Sequence, residues 1–378
     1  MGDIKLKKGT GILFVMAVLF ISSLLYLHYG DQNTLRVGIF YGSNWEVPGT
    51  VHYEILDQAI KKFKSKYPNV KVEYEKGILS NDYSEWLSEQ ILKGTEPDVY
   101  LVLDEDFNTL ASLGALKNLD MLVGGDKEFD SNVFYSSVYK AGQYEGSQYA
   151  LPMECNPTLM FVNKTLLQKE GIKVPDNDWT WDDFYDICKT IVKDSDGDGQ
   201  MDQFGCYDYT WLQAVYSNGI TPFNQSGTSS NFLDEKFSQS LEFVKRLEAT
   251  NRNYQVTSND FDLGKVAFRP FTFSDYRTYM PYPWRIKKYS GFEWTCIRMP
   301  AGPSGDNRSE MSALMAGMSS RTEKKQCAWD FVKLLTTDTD IQKLVYEDTS
   351  AASVLKSVNT SQDTMNLLNK DTPGDSII

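Results

Sequence analysis

Histidine is nearly absent from this chain, and cysteine is sparse. Only His28 and His52 occur among 378 residues, which argues against a histidine-based catalytic triad and against a histidine-rich metal site. The five cysteines are Cys155, Cys188, Cys206, Cys296 and Cys327. Their spacings match no CxxC or zinc pattern, and their number is odd. Most of them are therefore predicted to be small buried hydrophobic residues.

Basic residues are also in deficit. Lysine and arginine number 38 against 51 acidic residues, which gives a net charge of −13 and argues against a nucleic-acid partner. No dinucleotide fingerprint, phosphate-binding lysine loop, nucleophile elbow or HExxH motif occurs. What the chain does have is aromatic residues, at 13%, and an apolar fraction of 41%. This composition is typical of one large or two ordinary globular domains.

The first 30 residues differ from the rest. Lys5, Lys7 and Lys8 precede an apolar run over residues 12–27, so this segment carries +2 and leaves −15 for the remainder. A basic flank before an apolar run predicts a signal peptide or a membrane anchor over 1–30, with the bulk of the chain exported. Small residues suited to cleavage are scarce after the run, which favours the uncleaved anchor.

Hydrophobic periodicity alternates between strand and helix after residue 34. Alternation predicts a strand from Leu35 to Tyr41 and another over 70–74, and the apolar run 99–103 predicts a strand buried on both faces. Helical spacing lies between them, over 51–67 and 83–93. This order predicts a doubly wound parallel sheet, in which ligands bind beyond the carboxyl ends of the strands.

Six short segments, in a fixed order, carry a resemblance to a known family. They are Tyr149–Pro152 with 161–164 and 171–172, Trp181–Phe184, Asp194–Gly205, Phe261–Phe268, Met299–Gly302, and Ala328–Phe331 with 334–336. Together they resemble the carbohydrate-specific extracellular solute-binding proteins of ABC importers, family 1, the group of maltose- and oligosaccharide-binding proteins.

The resemblance implies a periplasmic-binding-protein-like α/β fold of type II, with two doubly wound lobes joined by a hinge. The N-terminal lobe is expected over 35–153 plus 272–318, and the C-terminal lobe over 154–271 plus 319–378. Crossings are expected near 153–158, 270–273 and 318–320. The implied function is an extracytoplasmic, non-enzymatic sugar carrier, monomeric, which closes around a carbohydrate and presents it to an ABC permease at the cell surface.

Two departures from the family pattern stand out. No cysteine for lipid attachment lies near the apolar run, and the chain stops 25 residues after Ser353. The early stop predicts a truncated C-terminal lobe. A membrane-tethered sugar sensor with the same fold, and an extracytoplasmic glycoside hydrolase built on a carboxylate pair, remain the alternative functions.

Aromatic and acidic residues in the predicted loops are the candidate ligand contacts, because rings cover the apolar face of a sugar and carboxylates bind its hydroxyls. From loop position and family resemblance the candidates are Ser43, Asn44, Trp45, Asp104, Glu105, Glu154, Asn156, Tyr209, Trp211 and Tyr276. For Glu105 the competing interpretation is a carboxylate favoured by the start of a helix.

The segment 194–202 resembles the first part of a calcium-binding loop. Its acidic or amide ligands would be Asp194, Asp196, Asp198, Gln200 and Asp202, with Gly199 at the turn. Position 12 of the pattern is Gly205, so the usual bidentate glutamate is missing. No cofactor is required by the implied function. The loop predicts a structural Ca²⁺, and the alternative is a solvated Asp/Gly turn.

Overall fold

The computed structural model describes residue 16 and residues 33–45, 53–224, 227–279 and 292–371. The predicted N-terminal signal or anchor segment lies outside these residues, apart from Met16. Within the described part of the chain, no helix combines the length and the apolar character needed to cross a membrane.

A mixed sheet of nine strands organises the described residues, in the order β2-β1-β3-β10-β6-β8-β7, with β9 and β11 added to β6. Its strands are β1 (Thr34–Gly38), β2 (Lys71–Tyr74), β3 (Val99–Val102), β6 (Ala150–Asn163), β7 (Phe204–Cys206), β8 (Val266–Thr272), β9 (Trp294–Ile297), β10 (Met311–Met318) and β11 (Ala352–Ser353). A separate hairpin consists of β4 (Gln143–Tyr144) and β5 (Ser147–Gln148).

Helices flank this sheet. They are α1 (Tyr53–Lys66), α2 (Ser80–Lys93), α3 (Asp104–Ser112), α4 (Asp120–Gly125), α5 (Ser136–Ala141), α6 (Lys164–Lys169), α7 (Trp181–Ile191), α8 (Trp211–Ser217), α9 (Glu235–Ala249), α10 (Ser258–Asp262), α11 (Phe273–Tyr279), α12 (Lys325–Thr337), α13 (Thr339–Asp348), α14 (Lys356–Asn359) and α15 (Gln362–Asp371). A 3₁₀ turn spans Ser131–Val133.

The predicted α/β class and the parallel pairing of the first three strands are confirmed. β1 lies between β2 and β3 and runs parallel to both, while β3 is buried along its whole length. The first strand ends earlier than the alternation predicts, because after Gly38 the chain makes only an isolated bridge from Tyr41 to Leu79. The carboxyl ends of β1 and β3 therefore meet at one edge, where the loop 39–45 begins and where Leu103 leads directly into α3.

β6 is the strand that joins the two parts of the sheet. Its residues 150–157 pair with β10, and its residues 158–162 pair with β8. The predicted first and second crossings come together here, because Thr158 is the register partner of Thr272. One continuous backbone thus belongs to two neighbouring strand pairings.

The buried hydrophobic residues form separate clusters around the two halves of β6. The largest buried cluster packs α1, α2 and α3 on the first three strands and β10, while separate clusters surround α7–α9 and the aromatic residues near β8. Residues 319–378 were expected in the second lobe, yet α12 and α13 contribute to the first cluster. The physical reason is their apolar face, with Phe331 packed edge-on against Phe63 of α1 at 5.1 Å. The division into two lobes otherwise stays a prediction.

The cysteines behave as predicted. Four of the five are buried, and Cys327 is half-buried.

A buried carboxylate ties the segment after β10 to the first parallel strands. Asp98 accepts hydrogen bonds from the backbone N–H of Arg36 at 2.9 Å, from Thr322 Oγ1 at 2.6 Å and from Lys324 Nζ at 3.1 Å. One carboxylate therefore joins three parts of the chain that are distant in sequence, around residues 36, 98 and 322–324.

We predict that Asp98→Ala lowers the free energy of unfolding by about 3 kcal/mol, because it leaves the mostly buried ammonium of Lys324 and two further donors without their acceptor. Chemical denaturation measures this. The matched control is Glu85→Ala on the exposed face of α2, which should change the free energy by less than about 0.5 kcal/mol. Equal stability of the two variants would contradict the assignment.

Candidate functional site

The side chain of Trp45 connects the loop after β1 to strand β6 by a hydrogen bond. Nε1 of Trp45 donates a hydrogen bond to Oε2 of Glu154 at 2.9 Å, and the backbone N–H of Trp45 bonds to Oγ of Ser43 at 2.9 Å. Glu154 is fully buried, whereas Trp45 is half-buried against the first core. Asn44 lies between Ser43 and Trp45 and is half-buried as well. The structure therefore brings together four residues that the sequence nominated.

Asp104 and Glu105 open α3 directly after β3, and both reach solvent. The carboxylate of Asp104 accepts a hydrogen bond from the side chain of Ser312 on β10. Partial desolvation, with the negative charges of Glu105 and Glu310 added, raises the pKa of Asp104 to about 6. The hydrogen bond from Ser312 opposes this rise.

Sequence reasoning missed two residues beside this carboxyl. Glu310 precedes β10, its backbone oxygen accepts the N–H of Thr158 at 3.0 Å, and partial burial raises the pKa of its carboxyl. Tyr216 comes from α8, and burial raises the pKa of its phenol, helped by the charges of Glu310 and Asp104. Neither residue belongs to a local motif. Glu310 comes near through the antiparallel pairing of β10 with β3 and β6, and Tyr216 comes near through α8. No short-range pattern encodes either approach.

Asn156 and Tyr276 are placed in buried contacts. The side-chain amide of Asn156 donates to Ser274 Oγ at 2.8 Å, and its oxygen accepts the N–H of Ser274 at 2.9 Å. Tyr276 is 1% exposed, with its ring centroid 5.3 Å from that of Trp294. These contacts explain both residues as packing groups around the start of α11, and a ligand role for them stays a prediction.

Tyr209 and Trp211 differ in their exposure to solvent. The hydroxyl of Tyr209 accepts a hydrogen bond from Nε1 of Trp181 at 3.2 Å, and the residue is buried. Trp211, the first residue of α8, is 41% exposed. Of this predicted pair, only Trp211 offers its ring to solvent.

The Asp-rich loop brings three of its acids together. Carboxylate oxygens of Asp194, Asp196 and Asp202 lie within 4.8 Å of one another. The two oxygens of Asp194 accept the N–H groups of Gly197 at 2.6 Å and Gly199 at 2.7 Å, and these bonds, that of Gly199 first, hold the pKa of Asp194 below its ordinary value. A tight turn is therefore already built around Asp194.

Asp198, another predicted calcium ligand, is not part of this group. Oδ1 of Asp198 accepts the N–H of Gln200 at 2.8 Å, and Asp198 does not join the three clustered acids. Three clustered carboxylates suit a hard cation such as Ca²⁺, which takes oxygen ligands.

The raised pKa of Asp104 predicts a pH-dependent stability. Because the folded state favours the neutral carboxyl, stability is present below the ordinary pKa of 3.8 and is lost as the pH rises through about 6. The stability of Asp104→Asn relative to the parent should therefore increase from about pH 4 to about pH 8. Denaturant titrations across this range measure the difference.

Glu310→Gln provides the companion measurement. Removing its negative charge should lower the pKa of Asp104 and shrink the pH dependence, which carbon-13 NMR of the Asp104 carboxyl would follow directly. Parallel stability curves for the parent and Asp104→Asn at every pH would show that the Asp104 carboxyl is not perturbed.

Comparison with known proteins begins with the sequence. A family model described as bacterial extracellular solute-binding protein matches residues 48–341. The "Multiple sugar-binding protein" of Streptococcus mutans is 27% identical over 140 residues, an alignment that covers 36% of this chain and 30% of that protein. The aligned part thus spans less than a third of this curated relative.

Solved structures share the fold along most of their length. The sugar-binding protein MalE from Xanthomonas citri has a TM-score of 0.71 at 16% identity, with 88% of this chain and 82% of that one covered. An ABC substrate-binding protein from Listeria monocytogenes, in complex with cycloalternan, has a TM-score of 0.62 at 21% identity, with coverage of 90% and 84%.

A cyclic α-maltosyl-1,6-maltose binding protein from Arthrobacter globiformis gives a TM-score of 0.69 at 16% identity, with 89% of this chain and 83% of that one covered. At these identities the likeness establishes the fold. The family match itself extends over more than half of the chain. This protein therefore belongs to the bacterial extracellular solute-binding proteins.

Proposed function

We propose that this protein captures a carbohydrate outside the cytoplasm and delivers it to an ABC importer. One observation carries the proposal: the indole of Trp45 donates a hydrogen bond to the buried carboxylate of Glu154. Asp104 and Glu105 lie at the same edge of the sheet, at the start of α3. A fixed ring suits the apolar face of a sugar, and carboxylates form strong hydrogen bonds with its hydroxyls. The names of the Streptococcus and Xanthomonas relatives, both sugar-binding, support the same ligand class.

Capture would proceed by closure about the crossing segments. Trp45 and Asp104 belong to elements of the first part of the sheet, whereas Tyr216 approaches from α8, which packs on the second. A ligand that touches both sides stabilises the closed arrangement through its extra contacts there. Presentation of the closed form to a membrane permease would then complete delivery.

Three finer features complete this proposal. The protein acts as a monomer, it binds its sugar without chemical conversion, and the apolar run of the first 30 residues holds it at the membrane. The non-enzymatic part is supported by membership of a binding-protein family. Incubation with oligosaccharides tests it, since released reducing sugar would speak for the hydrolase alternative.

Trp45→Ala is expected to weaken sugar binding by about tenfold or more, because truncating a central aromatic anchor commonly costs over 1 kcal/mol. A thermal-shift screen over mono- and oligosaccharides first identifies the ligand, and calorimetry then gives the affinities. Trp45→Phe keeps a ring but loses the N–H donor to Glu154, so its affinity should lie between that of the parent and that of Trp45→Ala. Unchanged affinity in a folded Trp45→Ala variant would remove Trp45 from the site.

We further propose a structural Ca²⁺ in the loop 194–202, held by Asp194, Asp196 and Asp202. Adding CaCl₂ to chelator-treated protein should release heat and raise the melting temperature, because an ion that binds only the folded state stabilises it. Asp196→Asn should diminish both effects, whereas Asp82→Asn, an exposed acid on α2, should leave them unchanged. No heat and no thermal shift would favour the solvated turn.

A further inference from the structure

The edge of the sheet opposite the candidate site is formed by four short stretches of chain. β1, β2 and β3 run parallel, so their amino ends lie at one edge, and β10 ends there because it runs antiparallel to β3. The helices α1 and α2, which lead into β2 and β3, also end at this edge. We call this surface the amino edge and define it by residues 64–71, 91–98, 113–117 and 319–330.

Hydrogen bonds join these stretches into one surface. The guanidinium of Arg321 donates to the backbone oxygen of Ile91 at 2.6 Å and to the carboxylate of Glu96 at 2.6 and 2.8 Å. The backbone N–H of Ser320 donates to the oxygen of Ala115 at 2.9 Å. The segment after β10 therefore contacts both the end of α2 and the residues that follow α3.

The amino edge is basic, although the chain as a whole is acidic. It has eight lysine or arginine residues and four acidic residues, a net charge of +4, whereas the whole chain carries −13. Three of the four acids, Glu96, Asp98 and Asp330, are buried, so the charge that reaches solvent is mainly positive. Glu73 and Glu89 pair with two of the lysines from outside the edge, and the net charge stays at +2 when both are counted.

Helix stability does not account for this distribution of charge. A helix dipole favours cations near the C-terminus, as with Lys64 in the last turn of α1, and disfavours them near the N-terminus. Lys325 is nevertheless the first residue of α12, whose first turn has no acidic residue. At the opposite edge, α3 begins with three acids. The first half of the sheet is therefore positive at its amino edge and negative beside the candidate site.

Two leucines of the amino edge project into solvent. Leu92, in the last turn of α2, is 87% exposed, and Leu113, directly after α3, is 77% exposed. Both lie close to the segment 320–321, because their neighbours Ile91 and Ala115 accept its hydrogen bonds. Leucines beside lysines and arginines are the combination found in segments that lie in a membrane interface.

The chain also enters the fold at this edge. Asn33, which precedes β1, lies beside the start of β2, because its backbone oxygen accepts the N–H of Lys71 at 2.8 Å. The apolar run over 12–27 ends six residues before Asn33. A chain spans at most about 3.5 Å per residue, so Asn33 lies within about 20 Å of the end of that run. Since the run is proposed above to lie at the membrane, the amino edge is the part of the fold nearest to it.

We propose that the amino edge rests on the anionic surface of a phospholipid bilayer, with Trp45 and Asp104 facing away from it. The inference rests on the proposed function, which supplies the membrane tether, and adds an orientation to it. Lysine and arginine residues close to an anionic lipid surface are attracted to it, whereas acidic residues are repelled. Both ends of this half of the sheet therefore favour the same orientation, in which the candidate site opens towards the medium that supplies the ligand.

Amide hydrogen exchange of the full chain in lipid nanodiscs tests the proposal. One set of discs contains phosphatidylcholine alone, and in the other about one third of the lipid is phosphatidylglycerol, which is anionic. Residues 91–98 and 319–330 should exchange about threefold more slowly in the anionic discs, because contact with lipid limits access of water to their backbone. The loop 39–45 should exchange equally in both. Salt at about 0.5 M should abolish the difference, because it screens the attraction.

Charge reversal identifies the residues that make the contact. Lys64→Glu combined with Lys325→Glu should remove the difference between the two discs without changing the melting temperature, since both lysines are exposed. Leu92→Gln should diminish the difference, because it removes an apolar side chain from the contact. The matched control is Lys189→Glu combined with Lys245→Glu, which makes the same change of charge at exposed positions in the second half and should behave like the parent.

Equal exchange of the amino edge in both discs, or slower exchange of the loop 39–45 instead, would overturn the orientation. Equal slowing in neutral discs on addition of a soluble polyanion would overturn the assignment to lipid.

Two further measurements separate this proposal from the proposed function. A chain that sediments with anionic but not with neutral vesicles would retain the lipid-binding surface and refute the anchor. Sugar binding, measured by calorimetry, should be the same for the charge-reversal variant and the parent. If the parent binds no sugar while the amino edge is protected in anionic discs, the proposed function fails and the membrane contact stands.

Discussion

The rest of the structure depends on the hydrogen-bond register of one strand. β6 pairs with β10 along its first part and with β8 along its second part. The two halves of the sheet are therefore joined through the same 14 residues. Glu154 lies before this change of partner and Thr158 at it. Because alternate residues of a strand face opposite sides, a slip of one residue would turn the carboxylate of Glu154 away from Trp45. The candidate site and the junction between the halves are thus set by one pairing.

The alternating pattern of the first hundred residues was sufficient to predict β1, α1, β2, α2 and β3 and their parallel order. That region is governed by local periodicity and short connections, which sequence reasoning handles well. The position of α12 and α13 could not be predicted in this way. Their placement depends on tertiary contacts with the first core, such as the ring contact between Phe331 and Phe63 and the ion pair between Lys62 and Asp338.

The residues of the candidate site likewise include some that could be predicted from the sequence and some that could not. Asp104 comes just after β3, and Ser43 and Trp45 lie in the loop after β1, so their position at the edge of the sheet could be predicted from the order of elements. Glu310 and Tyr216 could not, since they approach through antiparallel pairing and through a helix of the other half. Tyr209 and Trp211 show the finer limit. They are two residues apart, yet Tyr209 packs in a buried cluster and accepts a hydrogen bond from Trp181, whereas Trp211 faces solvent.

The paired hydrogen bonds between Asn156 and Ser274 have a mechanical consequence. They attach the beginning of α11 to β6 beside the point where β6 meets β8, with both bonds shielded from water. Bending one of these segments alone would break two buried hydrogen bonds, each expensive to leave unmade. The segments are therefore constrained to turn together, which reduces the relative movement of the two halves to few degrees of freedom.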